Sequence, residues 1–438
     1  MRRVLMISPH FPPDTSAGAH RVRLLAPHLA SFGWEPTVLT VEPAAYEGRL
    51  DPDLSRLVPG TLRVVRSPAW PARLTRPCGI GDLGLRAMTG LRRAAGDLLT
   101  REQFDALFIT IYPSYPALLG PGLKRRHRLP FVLDYQDPWV GAWGREVGPG
   151  RHGHPDIRSR LSRALAQWME PPVVRSADAL TAVSARTYEE VLARVPDARP
   201  HVCEAIPLGF DERDVQLLRC EPRANPYFDD GDGCLHVSYV GTVLPKGIEV
   251  LRAVLAGVAA LRHRAPHVYE RVRLHFFGTS NQRDPAAPPR VLPIAQELGV
   301  AHVVSEIAPR IDYLDALNVQ LKSHALLLMG SSEPHYTPSK AFPALLSGRP
   351  LIALYHRAST VVDLLARHPC AATMTFTDAS ELPALATEIA CAFERITRVP
   401  ASPSSTLRLT QDPRLERWSA PSLAGRLAGV LDIVARPR

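Results

Sequence analysis

Lysine is rare in this chain, and one lysine stands at an unusual place for the start of a helix. The 438 residues contain 52 Lys and Arg residues, of which only four are lysines: Lys124, Lys246, Lys322 and Lys340. In Tyr336-Thr-Pro-Ser-Lys-Ala-Phe342, Thr337 suits an N-cap and Pro338 the first helical position, which predicts Lys340 in the first turn. A cation there opposes the helix dipole and costs roughly a few tenths of a kcal/mol. The position favours an anion bound at the start of the helix.

A second lysine follows a glycine turn in Val240-Gly-Thr-Val-Leu-Pro-Lys-Gly247. Gly241 comes directly after an apolar strand pattern, and Lys246 stands just before a helical pattern. A lysine ammonium is a compact charge that can neutralise a diphosphate. The alternative is a surface lysine on a loop, and the residues alone leave both interpretations open.

The first strand pattern also ends in a loop with a glycine before a helix, Pro12-Pro-Asp-Thr-Ser-Ala-Gly18. Gly18 would let the backbone approach a ligand, and the amides at the start of a helix favour an anion. An ordinary loop between a strand and a helix explains the same residues.

Two carboxylates leave the end of another predicted strand, in Leu133-Asp-Tyr-Gln-Asp-Pro-Trp139. Ligands of open α/β sheets bind at the carboxyl ends of the strands, so Asp134 and Asp137 are candidates for acid–base work or for orienting a hydroxyl group. The alternative is that both side chains only cap turns.

The formal charge of +9 and the pI of about 9.5 permit an anionic partner. The basic run Lys124-Arg-Arg-His-Arg128 is either a solvated loop or a membrane-surface contact, and no nucleic-acid motif accompanies it. The six cysteines form no C-x-x-C pair, so neither a zinc site nor a disulfide framework is expected. No apolar run reaches the length of a membrane span, and the first residues do not resemble a signal peptide. We expect a cytoplasmic protein.

Short apolar runs alternate with helical patterns along the chain, which predicts an α/β fold with doubly wound parallel sheets. The pattern restarts after about residue 230, and the segment Glu221–Gly233 between the two series is predicted to be a linker or exposed loop. A helix is predicted from Val22 to Phe32 with a kink at Pro27 and a cap at Gly33. The predicted strands are 4–7, 37–41, 106–111, 131–134, 179–183, 236–240, 273–277, 324–329 and 350–354.

The G-x-G-x-x-G and G-x-x-x-x-G-K-[ST] signatures are missing at the places where a dinucleotide dehydrogenase or a P-loop nucleotidase needs them. The turns that are present occur in an order that resembles the retaining glycosyltransferases of the GT-B fold, the family 4 type. The similar segments are Ser8-Pro-His-Phe-Pro-Pro13, Gly18-Ala-His-Arg21, Asp134–Trp139, Ala205-Ile-Pro-Leu-Gly-Phe-Asp211, Val240-Gly-Thr with Pro245-Lys-Gly247, His275-Phe-Phe-Gly278, Arg310–Tyr313, Thr337–Lys340 and Ser347-Gly-Arg-Pro350.

The resemblance implies two Rossmann-like domains facing a cleft: residues 1–205 on the acceptor side, 206–410 for the nucleotide-sugar donor, and a last segment, 411–438, crossing back to the first domain. It implies sugar transfer with retention from a UDP- or GDP-sugar to a glycan, lipid-linked or small-molecule acceptor, without metal or cofactor. Independently of the resemblance, the net charge of +9 is compatible with a cytoplasmic protein that is peripheral on the inner face of the membrane. The implied catalytic residues are Lys246, Lys340, Asp137 and Glu333. The implied donor contacts are Gly18, Gly241, Thr242, Gly278, Tyr336, Thr337 and Ser339, and the acceptor side has Asp134 and His20.

Several residues depart from the family pattern. Pro343 stands where many members have a Glu that holds the nucleotide ribose, and Thr242 stands where many have Arg. Gln136 replaces the usual Arg between the two aspartates. Two alternatives therefore stay open: a sugar-nucleotide epimerase of the same fold, and a non-catalytic relative that only binds.

Overall fold

The computed structural model describes residues 1–48, 50–140, 157–280, 284, 286–332, 340–366, 371–396 and 413–435. These residues form two units, 1–211 with 417–438, and 212–416. The boundaries predicted from the sequence are 205/206 and 410/411, whereas the two units of the structure meet at 211/212 and 416/417.

Among the described residues, the first unit has a seven-stranded sheet in the order β3-β2-β1-β4-β5-β6-β7. All neighbouring strands pair in parallel. The order reverses between β1 and β4, so a crevice is expected at the carboxyl ends of these two strands. The strands are β1 (Arg2–Ile7), β2 (Trp34–Val41), β3 (Arg63–Ser67), β4 (Ala106–Ile111), β5 (Phe131–Tyr135), β6 (Ala179–Ala182) and β7 (Val202–Ala205).

The second unit repeats this topology with six described strands in the order β10-β9-β8-β11-β12-β13, again all parallel. Its order reverses between β8 and β11. The strands are β8 (Leu235–Val240), β9 (Val272–Phe277), β10 (Val304–Ile307), β11 (Ala325–Met329), β12 (Leu351–His356) and β13 (Ala371–Phe376).

Helices α1 to α7 and α9 to α14 lie between strands of one sheet, α8 lies between the two sheets, and α15 to α17 follow the last strand. The helices of the described residues are α1 (Ala19–Leu25), α2 (Pro52–Arg56), α3 (Ala72–Thr75), α4 (Leu83–Arg101), α5 (Leu119–His127), α6 (Ile157–Ser176), α7 (Ala185–Arg194), α8 (Glu212–Cys220), α9 (Ile248–Arg264), α10 (Pro266–Tyr269), α11 (Leu292–Glu297), α12 (Tyr313–Lys322), α13 (Ala341–Ser347), α14 (Thr360–Leu365), α15 (Ala386–Ile396), α16 (Pro413–Glu416) and α17 (Ala420–Val434). The described part of the chain contains no helix long and apolar enough to cross a membrane.

The central strands β1 and β4 of the first sheet are mostly apolar because both faces of the sheet are covered. Every residue of β4 is buried, and so are Val4 to Ile7 of β1. The doubly wound parallel arrangement predicted from the sequence is confirmed, and the predicted strands are present.

Pro27 changes the helix that follows β1, as predicted. The α-helix ends at Leu25, and a 3₁₀ helix continues from Ala26 to Phe32. Gly33 closes it with a φ of 83°, a left-handed conformation that favours glycine. The last helix, α17, belongs to the first unit, where Leu423 and Leu427 share one core with Val22 and Leu25.

Candidate functional site

The carboxyl ends of β8 and β11 form the reversal point of the second sheet. Gly241 and Thr242 follow β8, and Gly330 and Ser331 follow β11. A small cavity lies between these turns, lined by Tyr239, Thr242, Val243, Leu244, Gly247, Met329, Gly330 and Ser331. The fold therefore places this cavity where open α/β sheets bind ligands.

Lys340 reaches the turn after β8. Its ammonium Nζ donates to the Thr242 carbonyl oxygen at 3.0 Å and to the Tyr239 hydroxyl at 3.4 Å. The same nitrogen is 5.4 Å from the centre of the Tyr239 ring, a cation–π contact. The predicted residues Lys340, Gly241 and Thr242 thus meet, and Thr242 takes part through its backbone oxygen.

Gly241 has to be glycine because of this lysine. Its φ is 147°, and a Cβ atom at this position would overlap the end of the Lys340 side chain. The sequence predicts that a ligand lies close to the backbone of Gly241. In this structure the group that lies close to it is the Lys340 side chain.

A second cation lies near this lysine. Burial, together with the charge of Arg310, lowers the pKa of Lys340 to about 8. The Cα of Arg310 lies 3.7 Å from where a Cβ on Gly278 would be, beside the turn after β9. An anion bound beside Lys340 and Arg310 would stabilise the charged form of both side chains.

Arg290 completes the basic surroundings of the β8 turn. Its guanidinium donates to the carbonyl oxygen of Val243. Arg290 and Arg310 are not among the site residues predicted from the sequence, because each follows a different strand and neither has a local signature.

Lys246 is exposed, in a 3₁₀ turn from Pro245 to Gly247 that leads into α9. Its carbonyl oxygen accepts from the backbone N–H of Ser332 at 3.0 Å. Ser332 is the last described residue before the segment of Lys340. The role predicted for the Lys246 ammonium stays a prediction.

The helix after this segment begins later than predicted. Helix α13 starts at Ala341, so Lys340 is at the N-cap position and not in the first turn. Pro343 is the third residue of α13, where the missing N–H costs no helical hydrogen bond. The predicted site residues Glu333, Tyr336, Thr337 and Ser339 lie outside the described residues, and so does Pro338.

In the first unit, Asp134 is fully buried and forms an ion pair with Arg21. Arg21 Nη2 and Nε donate to its two oxygens at 2.6 and 2.9 Å, and the Thr181 hydroxyl donates at 2.7 Å. Arg21 also donates to the carbonyl oxygen of Ile206. Asp134 thus ties β5 to α1, and the prediction that it orients an acceptor disagrees with its burial.

A pocket of about 710 Å³ lies at the carboxyl ends of β1 and β4, the reversal point of the first sheet. Asp137, predicted from the sequence, lines it together with Asp82, which the sequence analysis missed. Burial raises the pKa of Asp82, and partial desolvation raises the pKa of the more exposed Asp137. The other lining residues are His10, Ile111, Tyr112, Pro113, Ser114, Tyr115, Pro138, Trp139, Ser162 and Ala166.

His10 is held in this pocket by the buried Asp14. The imidazole Nδ1 and the Asp14 carboxylate are 2.5 Å apart. Burial acts to raise the pKa of Asp14, but the hydrogen bonds with His10 and Ser16 outweigh it and leave this pKa below its usual value. The His10 ring also lies against the Tyr112 ring, with 5.3 Å between the ring centres. A carboxylate behind a histidine fixes its tautomer and orientation.

Gly18 has a packing role in this structure. A Cβ on Gly18 would overlap the Tyr112 ring and crowd His10. The close approach is made in this structure by a tyrosine of the pocket, and the donor contact predicted for Gly18 stays a prediction. His20, predicted on the acceptor side, lies on α1 with its Nδ1 3.2 Å from an Arg23 nitrogen.

Among the residues that the structure describes, no group of three or more His, Cys, Asp or Glu side chains is arranged to hold a metal ion.

Comparison with known proteins agrees with this architecture. Residues 16–209 match the family described as Glycosyl transferase 4-like domain. No curated protein matches the sequence at a significant level.

Several solved structures match nearly the whole chain. HepE from Anabaena, solved in complex with UDP-glucose, is 15% identical with a TM-score of 0.57, covering 99% of this chain and 100% of that one. A UDP-forming α,α-trehalose-phosphate synthase from Burkholderia xenovorans is 11% identical with a TM-score of 0.59, covering 100% of both chains. A glycosyltransferase from Rickettsia africae is 12% identical with a TM-score of 0.57, covering 99% and 98%. These matches confirm the GT-B fold.

Proposed function

We propose that the protein transfers a sugar from a nucleotide-diphosphate donor to an acceptor, with retention at the anomeric carbon. The observation that carries the proposal is the Lys340 ammonium at the turn after β8, held by neutral oxygens beside Arg310. Among the described side chains, no carboxylate forms an ion pair with Lys340. A diphosphate would supply the missing negative charge.

In this proposal the second unit holds the donor. Lys340 and Arg310 stabilise the leaving diphosphate, on which negative charge grows as the bond to the sugar breaks. Lys246 adds a further cation from the start of α9. By resemblance, Glu333, Tyr336, Thr337 and Ser339 border the sugar and the nucleotide.

The pocket of the first unit would hold the acceptor. Carboxylates accept hydrogen bonds from sugar hydroxyl groups, and the partly exposed ring of Tyr112 offers a flat apolar face. Asp137 is exposed enough to receive such a bond, and the His10–Asp14 pair would orient a second hydroxyl group. We therefore propose a polyhydroxylated acceptor, either a glycan or a lipid-linked sugar.

Retention follows from the resemblance, in which the donor phosphate itself takes the proton of the acceptor. The protein then contributes position and charge, and the proposal includes no metal or cofactor. Proton NMR of the first-formed product from UDP-glucose tests it, because the coupling between H1 and H2 of a glucosyl product separates retention from inversion.

Release of UDP from UDP-glucose, and of GDP from GDP-mannose, with and without a saccharide panel tests the function. Acceptor-dependent release supports transfer. Turnover of the donor alone to an epimeric sugar nucleotide would identify an epimerase instead. Pro343 favours a third outcome, a binding protein without turnover, since proline cannot bond the nucleotide ribose as Glu does.

A further inference from the structure

The outward face of α6 is apolar, which is unusual for an exposed helix face. Leu161, Leu165 and Trp168 are 61%, 38% and 75% exposed. Their spacing of four and three residues puts them on one stripe of the helix. Ala164 and Pro172, which are also exposed, continue the same stripe. Grouped apolar side chains on a surface mark an interaction site.

The stripe is not needed for folding, because a different face of α6 packs into the first unit. Ala166, Val173 and Val174 on that face are almost completely buried. Glu170 is buried beside them and accepts hydrogen bonds from Arg194 at 3.0 and 3.1 Å. The helix therefore has one apolar face for the core and a second one that faces water.

Basic residues flank the stripe at both ends. Arg160 is exposed at its start. At the other end, Lys124 Nζ of α5 donates to the Ser176 carbonyl oxygen at 2.9 Å, which brings the last turn of α5 to the end of α6. That turn exposes Arg125 and Arg126. Among the described side chains of α6, the only carboxylate is the buried Glu170.

These observations also correct one expectation for the basic run. Lys124 bonds the buried Asp178 carboxylate at 2.7 and 2.8 Å, so its ammonium serves as an internal tie. The side chains of the run that remain exposed and face outward include Arg125 and Arg126.

We propose that the outward stripe of α6, with the last turn of α5, docks on an anionic lipid bilayer. The two leucines would enter the acyl boundary, and the Trp168 indole would lie at the level of the headgroups. The flanking guanidinium groups would meet lipid phosphates, and the net charge of +9 attracts the protein to such a surface.

The size of the stripe favours a bilayer over a second copy of the chain. From Leu161 to Pro172 it is roughly 16 Å long at 1.5 Å per residue, and a helix is only about 10 Å wide. A stable protein interface needs about 800 Å² on each partner, several times more. A bilayer has no such minimum, since a few inserted side chains and charges act together.

Docking would also specify the acceptor. Ser162 and Ala166, on the inward face of α6, line the pocket of the first unit. The pocket then lies within about one helix diameter, roughly 10 Å, of the bilayer. Resting on the proposed function, this places the reactive sugar on a lipid carrier.

Cosedimentation with vesicles tests the docking without nucleotide or acceptor, so its failure would leave the proposed transfer untouched. Phosphatidylcholine vesicles are compared with vesicles that also contain phosphatidylglycerol. The double variant Leu165→Gln/Trp168→Gln should weaken binding to the anionic vesicles at least roughly tenfold. Arg125→Gln/Arg126→Gln should weaken it about fivefold per charge at low salt and little at high salt. Ile433→Gln, which changes a side chain on α17 that is about as exposed as Leu165, should bind as the wild type.

Two results would overturn the proposal. One is equal binding of the wild type and the Leu165→Gln/Trp168→Gln variant. The other is a wild-type dimer that this variant dissociates while neither protein binds vesicles, which would mean that a second copy covers the stripe. Bromine-labelled lipids provide an independent readout: they should quench more fluorescence in the wild type than in Trp168→Phe. Thermal melts of each variant control for folding.

Discussion

Replacing Lys340 by methionine should stabilise the protein and at the same time remove its affinity for nucleotide diphosphates. Methionine keeps most of the length of the side chain and removes the charge. A residue that serves only the fold would lose stability on such a change. Replacing a residue that serves a ligand should instead make the protein more stable, because burying the charge of that residue costs folding free energy.

The magnitude follows from the pKa of Lys340, which burial and Arg310 lower from 10.5 to about 8. At 1.36 kcal/mol per unit, the charged form costs roughly 3 kcal/mol of folding free energy. This figure is an upper bound, because water still reaches part of the side chain.

The pH dependence has a definite sign. The folded pKa lies below the unfolded one, so between about pH 8 and 10.5 the unfolded state binds more protons. Over this window the unfolding free energy contributed by Lys340 rises with pH. Below about pH 8 the full cost is present, and above about pH 10.5 it vanishes.

The assay is denaturant unfolding of wild type and Lys340→Met at about pH 7 and about pH 10. The variant should be more stable at neutral pH by up to about 3 kcal/mol, and this difference should shrink at high pH. Lys322→Met is the matched control. Lys322 forms an exposed ion pair with Asp230 at 3.0 Å, so its removal should change stability by less than about 1 kcal/mol.

Saturating UDP or GDP should reverse the order of stability, because only the wild type gains a charge-assisted contact. Loss of that contact lowers affinity roughly ten- to a hundredfold. Lys340→Arg should recover only part, since a planar fork differs from a point charge. Undiminished nucleotide affinity in Lys340→Met, or the same pH dependence in both proteins, would refute this reasoning.

Three further variants probe the rest of the account. Gly241→Ala should displace the Lys340 side chain, lower the nucleotide affinity measured by calorimetry and introduce roughly 1–3 kcal/mol of backbone strain. Gly429→Ala, at an open helical position, should instead raise the unfolding free energy by about 0.5–1 kcal/mol. Equal effects of the two substitutions would argue against the site. Asp134→Asn should destabilise the protein by about 3–5 kcal/mol in denaturant unfolding because it leaves the buried Arg21 uncompensated, and wild-type stability would contradict that view. Asp137→Asn should raise the KM for the acceptor roughly tenfold or more while the donor affinity and the melt stay unchanged; a changed donor affinity would argue against its place in the acceptor pocket.

The sequence predicts the interior of each sheet better than its edges. The unpredicted strands β3, β7, β10 and β13 are the outermost strands of the two sheets. Edge strands are covered on fewer sides, so they mix polar and apolar residues and leave no continuous apolar run. Arg63-Val-Val-Arg-Ser67 of β3 is an example, with a single buried residue.

The residues of the candidate sites also fall into two groups: those that the local sequence predicts and those that only the fold brings to the site. Local signals, a glycine after a strand or a lysine before a helix, find Gly241, Lys246 and Lys340. Arg290 and Asp82 become site residues only through the topology that brings distant loops together. For Asp134 the strand-end position is right, but local sequence gives no sign that a buried arginine pairs with it.

The central claim, a diphosphate site at the ends of β8, β9 and β11, is tested most directly by calorimetry with nucleotide mono- and diphosphates. The account predicts that UDP or GDP binds the wild type roughly ten- to a hundredfold more tightly than the corresponding monophosphate, and that Lys340→Met nearly abolishes this difference. Failure of both diphosphates to bind at millimolar concentration, or a preference for the diphosphate that Lys340→Met leaves intact, would contradict it.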